Sequence, residues 1–394
     1  MTDTDVFISG GGLAGLAAAA AFDAAGFSVV LVDPAPPTQT AEDDQSDLRS
    51  TAYLQASKTL FERIGLWDVL ECQATALSAL RIVDTVGDPP VIQTDRMFQS
   101  SDISDTPFGW NVPNWLARKT LTDHLAQRID LRLGTGFSSI LTRDKEALVT
   151  LSTSERLRAK LAVAADGHAS PLRQAVGIDT ITTRYAQKAL AFAVTHDTAH
   201  NGVSTEIYAS GGAFTLVPLQ NQGQTPASAV VWMEDGPNAQ HLAQLSPTAL
   251  SAAATGRSAG VLGDLSVATA VRSWPVVLQE ARRLTARRTA LIAEAAHVMP
   301  PIGAQGLNTS LLDVAALFDA ACQTPDDLGG PSMLKAYHTA RARDLKSRTR
   351  AIDLFNRICR TGHPGLRAFR SAGLNAIHDI APLRMALMKR GLST

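Results

Sequence analysis

The feature that most constrains the fold is a glycine-rich turn near the start of the chain. A short apolar stretch runs into Gly10-x-Gly12-x-x-Gly15, and an alanine-rich segment and a second apolar stretch ending at Asp33 follow it. In such strand–turn–helix–strand units the glycines allow a tight turn, close approach of a pyrophosphate and close packing of helix on sheet. The helix N-terminus attracts phosphate, and Asp33 can accept hydrogen bonds from a ribose. The pattern predicts a dinucleotide site, against the alternative of a Gly-rich βαβ turn that binds nothing.

The length of the chain argues for more than one domain within an α/β fold. At 394 residues it exceeds the usual single-domain size, so we expect two interleaved domains or one domain with a large insertion. We place a Rossmann-like cofactor domain at residues 1–75, 106–185 and 273–334, a mostly β substrate domain at 76–105 and 186–272, and a basic helical region at 335–394. No apolar run reaches the roughly 18–20 residues of a membrane span.

The three cysteines give little to build on. Cys72, Cys322 and Cys359 are few, odd in number and far apart in the chain. They indicate a reducing cytoplasm and favour neither a disulfide framework nor a metal site.

Local patterns predict the remaining elements. Residues 34–47 are rich in proline and acidic side chains, which is typical of an exposed, mobile loop. Apolar spacing predicts a helix over 52–64, closed by Gly65, and another over 116–128. Strands are expected at 80–84, 91–94, 131–133, 147–151, 161–165 and 288–292.

A run of strands follows in the middle of the chain. We expect strands at 189–195, 204–208, 213–219 and 227–234, which is a candidate substrate-domain sheet. Helices are expected at about 238–263, and the sequence from Met333 onward is almost entirely helical in pattern.

The net charge of −1 hides an uneven distribution. Residues 335–394 contain 13 Lys and Arg but three acidic residues, a formal charge of +10. Apolar positions lie between the arginines, so a helix here could meet an anionic membrane or a partner in a biosynthetic complex. These positions are Tyr337, Leu345, Ile352, Phe355, Ile358, Leu366, Phe369, Leu374, Ile377, Leu383, Leu387 and Met388. The alternative is a solvated helical face, and for the Arg-rich stretch 341–350 that is the expectation.

Three separated blocks together resemble the flavoprotein aromatic hydroxylases. The glycine turn is the first. The second, residues 165–173, carries Asp166-Gly167 and resembles the DG motif of that family, and the third, residues 294–313, resembles its GD motif. Further matches make the chain most similar to the ubiquinone-biosynthesis hydroxylases; they lie at residues 47–52, 109–114, 214–219 and 230–232. The resemblance covers nearly the whole chain.

The resemblance implies FAD, where the glycine turn alone would suggest an NAD-dependent dehydrogenase. It places contacts to the ADP half at Gly10, Gly12, Leu13, Ala14, Gly15 and Asp33. Arg49 matches an arginine that lies close to the FAD diphosphate in that family. Asp166 and Gly167 match residues that support the pyrophosphate and are also implicated in the encounter with NAD(P)H. Arg118 is a further expected contact with the cofactor. The contacts to the ribityl chain and the flavin ring are Glu294, Pro301, Ala304, Gln305, Gly306, Leu307 and Asn308.

The third block departs from the usual motif. Ala293-Glu294 stands where Gly-Asp is usual, Gly303-Ala304 replaces Ala-Gly, and Ser310 replaces a glycine. Glutamate keeps the charge and reaches one methylene further, so we expect FAD binding to be retained, and whether the altered motif weakens it stays open. With no second histidine at metal spacing, His297 is expected to make a structural hydrogen bond near this loop.

The reaction that the resemblance implies is ring hydroxylation of a prenylated phenol or quinone precursor on the way to ubiquinone. NAD(P)H would reduce FAD, dioxygen would give a C4a-hydroperoxyflavin, and the ring would take the distal oxygen. No side chain is expected to be catalytic, because the flavin performs the chemistry; Pro301 and Gln305 line its loop. Two alternatives stay open: a hydroxylase of a small soluble aromatic, and a non-catalytic accessory subunit. No nucleic-acid partner is expected, and the expected location is the cytoplasm or the inner face of the cell membrane.

Overall fold

The computed structural model describes residues 2–209 and 211–360, and beyond them 375, 378–380, 382, 384–385 and 388. The strands are β1 (Thr2–Ser9), β2 (Val29–Asp33), β3 (Ser50–Leu54), β4 (Thr75–Leu77), β5 (Ala79–Val86), β6 (Val91–Gln99), β7 (Gly109–Pro113), β8 (Asp130–Leu133), β9 (Phe137–Thr142), β10 (Ala147–Leu151), β11 (Arg156–Ala164), β12 (Thr180–His196), β13 (Val203–Ala209), β14 (Gly212–Pro218), β15 (Ala227–Asp235), β16 (Leu265–Val267), β17 (Arg272–Ala281), β18 (Thr285–Ala286), β19 (Thr289–Leu291) and β20 (His297–Val298).

The helices are α1 (Leu13–Ala24), α2 (Gln55–Arg63), α3 (Trp67–Leu70), α4 (Asn114–Leu125), α5 (Pro171–Ala175), α6 (Gly236–Leu242), α7 (Pro247–Arg257), α8 (Gln305–Gln323) and α9 (Pro331–Arg360). Short 3-10 turns lie at Glu71–Gln73, Ser100–Asp102, Ala293–Ala295 and Pro325–Asp327. The mixed α/β class expected from the sequence is confirmed.

The first sheet has eight strands and a parallel centre. Its order is β18-β19-β11-β1-β2-β8, and the hairpin of β9 and β10 adds to the edge of β11. Strands β19, β11, β1, β2 and β8 run parallel. Because α1 is built mainly of alanine, it packs closely on this sheet, and its residues 16–21 are fully buried. The carboxyl ends of β1, β2, β11 and β19 therefore meet at one edge, where ligands of such sheets bind.

The second sheet has nine strands in the order β20-β17-β12-β15-β14-β13-β5-β6, with β16 on β12. One face packs under α6 and α7, where Phe214 and Trp232 form an edge-to-face pair 5.2 Å apart between ring centroids. Residues of the other face, among them Tyr208 and Met233, belong to the core of the cofactor-binding part. The sheet thus forms a layer between these two sets of helices and strands.

Two expectations about local structure need correction. The helix predicted over 52–64 begins at Gln55, because residues 50–54 pair with β7 as an antiparallel strand. A third, three-stranded sheet of β3, β7 and β4 results. In addition, residues 180–185 and 273–281, which the sequence analysis assigned to the cofactor domain, lie in strands of the nine-stranded sheet. Long-range strand pairing decided both outcomes against local pattern.

Among the described residues, no helix is both long enough and apolar enough to cross a bilayer. Part of the basic region predicted at 335–394 is α9, which is 30 residues long. Leu366, Phe369, Leu374, Ile377, Leu383 and Leu387 lie outside the described residues.

Candidate functional site

The glycine turn between β1 and α1 is closely packed on one side and open on the other. A Cβ atom on Gly15 would lie 2.0 Å from the carbonyl oxygen of Gly10, and a Cβ on Gly10, at φ +110°, would lie 2.3 Å from the oxygen of Ala165. A Cβ on Gly12 would meet nothing within 4 Å. No side chain caps the N-terminus of α1, and its first turn contains no acidic residue. The turn therefore leaves room and N–H donors for a pyrophosphate.

Asp33 at the end of β2 is tied to this turn. Its Oδ2 accepts a 2.6 Å hydrogen bond from the backbone N–H of Gly11, and its Oδ1 lies 3.2 Å from Nη2 of Arg118. Arg118 also donates to the carbonyl of Gly11 from Nε, at 2.9 Å. These contacts bring Asp33 and Arg118, two of the predicted cofactor residues, together beside the glycine turn.

Asp166 lies where β11 ends beside β1. It accepts hydrogen bonds from the Ser9 hydroxyl at 3.2 Å, from the backbone N–H of Leu172 at 3.1 Å, and from the Ser170 hydroxyl. Burial raises the pKa of Asp166 in spite of these bonds. Nearby, Nη1 of Arg173 donates to the carbonyl of Ala295 at 3.0 Å, which connects the second sequence block to the third.

A half-exposed ion cluster lies on the other side of the third block. Arg49 makes a bidentate contact with Asp47 at 2.8 Å for both bonds, and its Nη1 is 3.8 Å from Oε1 of Glu294. Its guanidinium also lies over the Trp274 ring, 5.2 Å from the centroid. Burial alone would raise the pKa of Asp47, but the charge and hydrogen bonds of Arg49 hold it below the usual range. The predicted residues Arg49 and Glu294, distant in sequence, are neighbours in the fold.

The loop before α8 runs from Pro301 to the helix start at Gln305. Ala304, the N-cap, has φ +55° in the left-handed region, where a residue with a Cβ is disfavoured by roughly 1–2 kcal/mol. The GD motif, which this block resembles, usually has glycine at the position of Ala304. The alanine here therefore has a conformational cost that glycine would not have. No side chain caps the first turn, which contains Gly306 and Leu307. Its N–H groups are placed to stabilise negative charge.

Asn308 holds this loop with its side chain. Its Oδ1 accepts from the backbone N–H of Leu54 at 2.9 Å and from the Ser57 hydroxyl at 2.6 Å, and its Nδ2 donates to the carbonyls of Ala52 and Ala304 at 2.7 and 2.6 Å. The side chain is buried. Any contact of Asn308 with a cofactor must therefore be made through its backbone, which refines the sequence expectation.

A buried carboxylate, Asp313, organises the same block from behind. Its Oδ2 accepts from His297 Nε2 at 2.6 Å and from the backbone N–H of Ala293 at 3.0 Å, and its Oδ1 accepts from Arg341 Nε at 2.8 Å. Burial alone would raise the pKa of Asp313, but His297 and Arg341 lower it below the usual range. The structural hydrogen bond predicted for His297 is confirmed.

The Arg-rich stretch 341–350 is only partly the solvated face that the sequence suggested. Arg341 is buried because Asp313, on α8, faces it. From there an ion chain runs along α9: Arg341 contacts Asp344 at 2.7 Å, Arg348 contacts Asp344 at 2.9 Å, and Arg348 Nη1 donates to the Gln305 side chain at 3.1 Å. This series of ion pairs links α9 to the start of α8, and helix periodicity alone could not predict it.

Glu206 is a further residue that sequence reasoning missed. It lies on β13, accepts a 2.5 Å hydrogen bond from the Tyr208 hydroxyl, and receives a backbone hydrogen bond from Gly303 in the loop before α8. Burial raises the pKa of this carboxyl group. In the sequence, Glu206 is marked only as an acidic residue within the predicted strand 204–208, two positions before Tyr208.

Comparison with known proteins places this geometry in a family. A model of the FAD binding domain matches residues 3–351. Ubiquinone hydroxylase UbiL of Rhodospirillum rubrum is 30% identical over 99% of this chain and 90% of its own length. The chain belongs to the ubiquinone hydroxylases. This hydroxylase is a flavin-dependent monooxygenase that uses FAD, NAD(P)H and dioxygen, and the glycine turn, Asp33 and the open first turns of α1 and α8 fit FAD.

Other comparisons agree. The 3-demethoxyubiquinol 3-hydroxylase of Escherichia coli is 26% identical to this chain, and the match covers 99% of this chain and 98% of the Escherichia coli protein. The crystal structure of p-nitrophenol 4-monooxygenase PnpA from Pseudomonas putida superposes with a TM-score of 0.80 at 18% identity, covering 98% of this chain and 97% of that one. At that identity the second likeness shows the fold alone.

Proposed function

We propose that this hydroxylase adds one oxygen atom to the aromatic ring of a prenylated phenol intermediate of ubiquinone biosynthesis. The observation that carries the proposal is similarity along nearly the whole chain to proteins named as a ubiquinone hydroxylase and a 3-demethoxyubiquinol 3-hydroxylase. The fold supports it, because the nine-stranded sheet meets the loop before α8 where Glu206 lies beside the backbone of Gly303. The retained glycine turn, Asp33 and Asp166 argue against a non-catalytic accessory role.

The cofactor assignment of single residues is part of the proposal. In it, α1 and the glycine turn hold the pyrophosphate through the N–H groups of Gly12, Leu13 and Ala14, and Asp33 holds the ribose. The remaining contacts come from Arg49, Arg118, Asp166, Gly167, Glu294, Pro301, Ala304, Gln305, Gly306, Leu307 and Asn308. The open space at Gly12 supports this arrangement.

The chain's own residues have three tasks in this reaction. FAD, when bound, supplies the chemistry that activates dioxygen with electrons from NAD(P)H. The N–H groups at the start of α8 stabilise negative charge on the flavin ring. Asp313, His297 and Asn308 fix the loop that presents those groups, and the nine-stranded sheet that borders this loop would limit the access of water to the ring being hydroxylated.

Deletion of the gene tests the proposal in cells. We expect ubiquinone to fall and a prenylated phenol one oxygen atom lighter than the next pathway intermediate to accumulate, because ring hydroxylation is blocked. Mass spectrometry of lipid extracts measures both, and a plasmid copy of the wild-type gene is the control. A normal quinone profile in the deletion strain would overturn the proposed function.

We also propose that the basic C-terminal region binds an anionic membrane or a partner of the biosynthetic complex. From residue 362 onward the sequence has one acidic residue, Asp379, and five basic ones, namely Arg367, Arg370, Arg384, Lys389 and Arg390. A truncated protein that ends just before Gly362, a residue outside the described ones, tests this proposal. Truncation there is expected to reduce sedimentation with anionic vesicles while FAD stays bound, because the cofactor contacts lie upstream. Equal sedimentation of the truncated and full-length proteins would contradict binding to an anionic membrane. Neutral vesicles are the control.

A further inference from the structure

Glu206 lies where the nine-stranded sheet meets the loop before α8. On β13, Ile207 packs under α6 and α7, whereas Tyr208 packs into the core of the cofactor-binding part. Because side chains alternate along a strand, Glu206 is on the same face as Tyr208. The Tyr208 hydroxyl and the backbone N–H of Gly303 both donate to its carboxylate. The acid is thereby fixed beside the loop proposed to carry the flavin ring.

The row of the sheet that contains Glu206 is partly exposed. Its register partners on the neighbouring strands are Ile82 and Thr215, and Val231 is the next in the same row. Glu206, Ile82, Thr215 and Val231 are all partly exposed, whereas the adjacent row of Tyr208, Ala213 and Met233 is buried. This row therefore forms a partly exposed wall of two apolar side chains, one threonine and one carboxylate, beside the loop before α8.

No cation lies close to this carboxylate along the described part of its row. The register continues to Arg96 on β6, two strands away, and to Arg272 on β17, four strands away on the other side. At about 4.8 Å between strands, these backbones are roughly 10 and 19 Å from that of Glu206. Arg96 donates to the carbonyl of Asp95, and Arg272 to that of Asp43. Within this row, the charge nearest to the middle of the wall is therefore the Glu206 carboxylate.

We propose that Glu206 determines substrate class: its carboxylate accepts the hydrogen bond of the ring hydroxyl of a neutral phenol and excludes rings that carry a carboxylate. A carboxylate has room for about four hydrogen bonds, and Tyr208 and Gly303 supply two. A second carboxylate at this wall would meet like charge with little solvent to screen it. This inference rests on the proposed function, because it concerns the ring that is hydroxylated.

The raised pKa of Glu206 agrees with this role. Burial makes the carboxylate a stronger acceptor for a phenol proton than an exposed glutamate would be. The Tyr208 hydroxyl, fixed on the same carboxylate, sets the direction in which the remaining lone pairs point.

A matched pair of ligands tests the proposal. The probes are 2-allylphenol and 3-allyl-4-hydroxybenzoate, which differ by one carboxylate on the ring, titrated into the FAD-loaded protein while the flavin absorbance is followed at equilibrium. We expect the wild-type protein to bind the neutral phenol at least about tenfold more tightly. In Glu206→Gln, which keeps shape and removes charge, the benzoate should bind more tightly and the ratio should fall below about threefold. Equal binding of both probes by the wild-type protein overturns the proposal without any variant.

Two further variants separate charge from structure. Glu234→Gln removes a carboxylate from β15 of the same sheet. Glu234 lies on the same face as Trp232, which packs under α6 and α7, so this variant should keep the wild-type ratio of the two affinities. Glu206→Asp keeps the charge and should keep the preference. An unchanged ratio in Glu206→Gln with a blocked pathway in the deletion strain overturns this inference alone. A Glu206-dependent ratio with normal ubiquinone overturns the proposed function alone.

Discussion

Replacement of Asp313 by alanine is expected to lower the free energy of unfolding by about 3–5 kcal/mol, because it removes a fully buried carboxylate and leaves Arg341 with Asp344 alone as its ionic partner. Arg341 has a side chain only 6% exposed, and Asp313 is fully buried. The same change removes the acceptor for His297 and for the backbone of Ala293, so the loop before α8 loses its support and FAD content should fall. Urea denaturation and the FAD-to-protein ratio of purified protein measure the two effects.

Asp319 on the same helix provides the control. Its carboxylate contacts Arg63 at 2.6 Å, but both side chains are about half exposed. Asp319→Ala should cost less than about 1 kcal/mol, since exposed ion pairs contribute little. A loss in Asp313→Ala no larger than in Asp319→Ala would contradict the role assigned to the buried cluster.

The pKa of Asp313 adds a pH signature to this prediction. Its folded value lies below the ordinary 3.8. The stabilisation is therefore complete above that ordinary value and is lost as the pH falls through the lower, folded pKa. The difference in unfolding free energy between the wild-type protein and Asp313→Ala should shrink as the pH falls below 3.8.

The second large effect is expected at Gly12. Gly12→Ala should leave the free energy of unfolding within about 1 kcal/mol of the wild-type value, because the added Cβ meets no protein atom within 4 Å. The same methyl group would occupy the space in which the pyrophosphate approaches the backbone. A steric conflict of about 1–3 kcal/mol corresponds to roughly tenfold to a hundredfold weaker FAD binding. Fluorescence titration of the apoprotein with FAD measures the dissociation constant.

Two glycine variants bracket this result. Gly256→Ala on α7 also meets open space and should change neither stability nor FAD affinity by much. Gly15→Ala should instead destabilise the fold, since its Cβ would lie 2.0 Å from the backbone oxygen of Gly10. Wild-type FAD affinity in a folded Gly12→Ala protein would show that the pyrophosphate does not lie over this turn.

The parts of the site that depend on short stretches of chain could be predicted from the sequence. The turn at Gly10–Gly15 and the acid at Asp33 lie in one continuous βαβ unit, so their spacing alone placed them together. Asp166 follows the strand that pairs with β1, and parallel strands bring their carboxyl ends to the same edge.

The rest depends on long-range contacts that periodicity does not contain. Arg341 is separated from Asp313 by 28 residues, and a basic helix face gave no reason to expect it inside. Ala52 and Leu54 fit a helical pattern, but pairing with β7 and the bonds from Asn308 make them a strand. Glu206 gained significance only when Gly303, almost a hundred positions later, was found beside it.

The fate of labelled dioxygen tests the proposed hydroxylation most directly. Purified FAD-loaded protein, NADH or NADPH and a neutral prenylated phenol are incubated under isotopically labelled dioxygen, and the products are analysed by mass spectrometry. The proposed hydroxylation predicts one labelled oxygen atom on the aromatic ring, formed only when the reductant is present and in much smaller amount with Gly12→Ala. Oxidation of the reductant without label in the ring, or label incorporated without FAD, would contradict it.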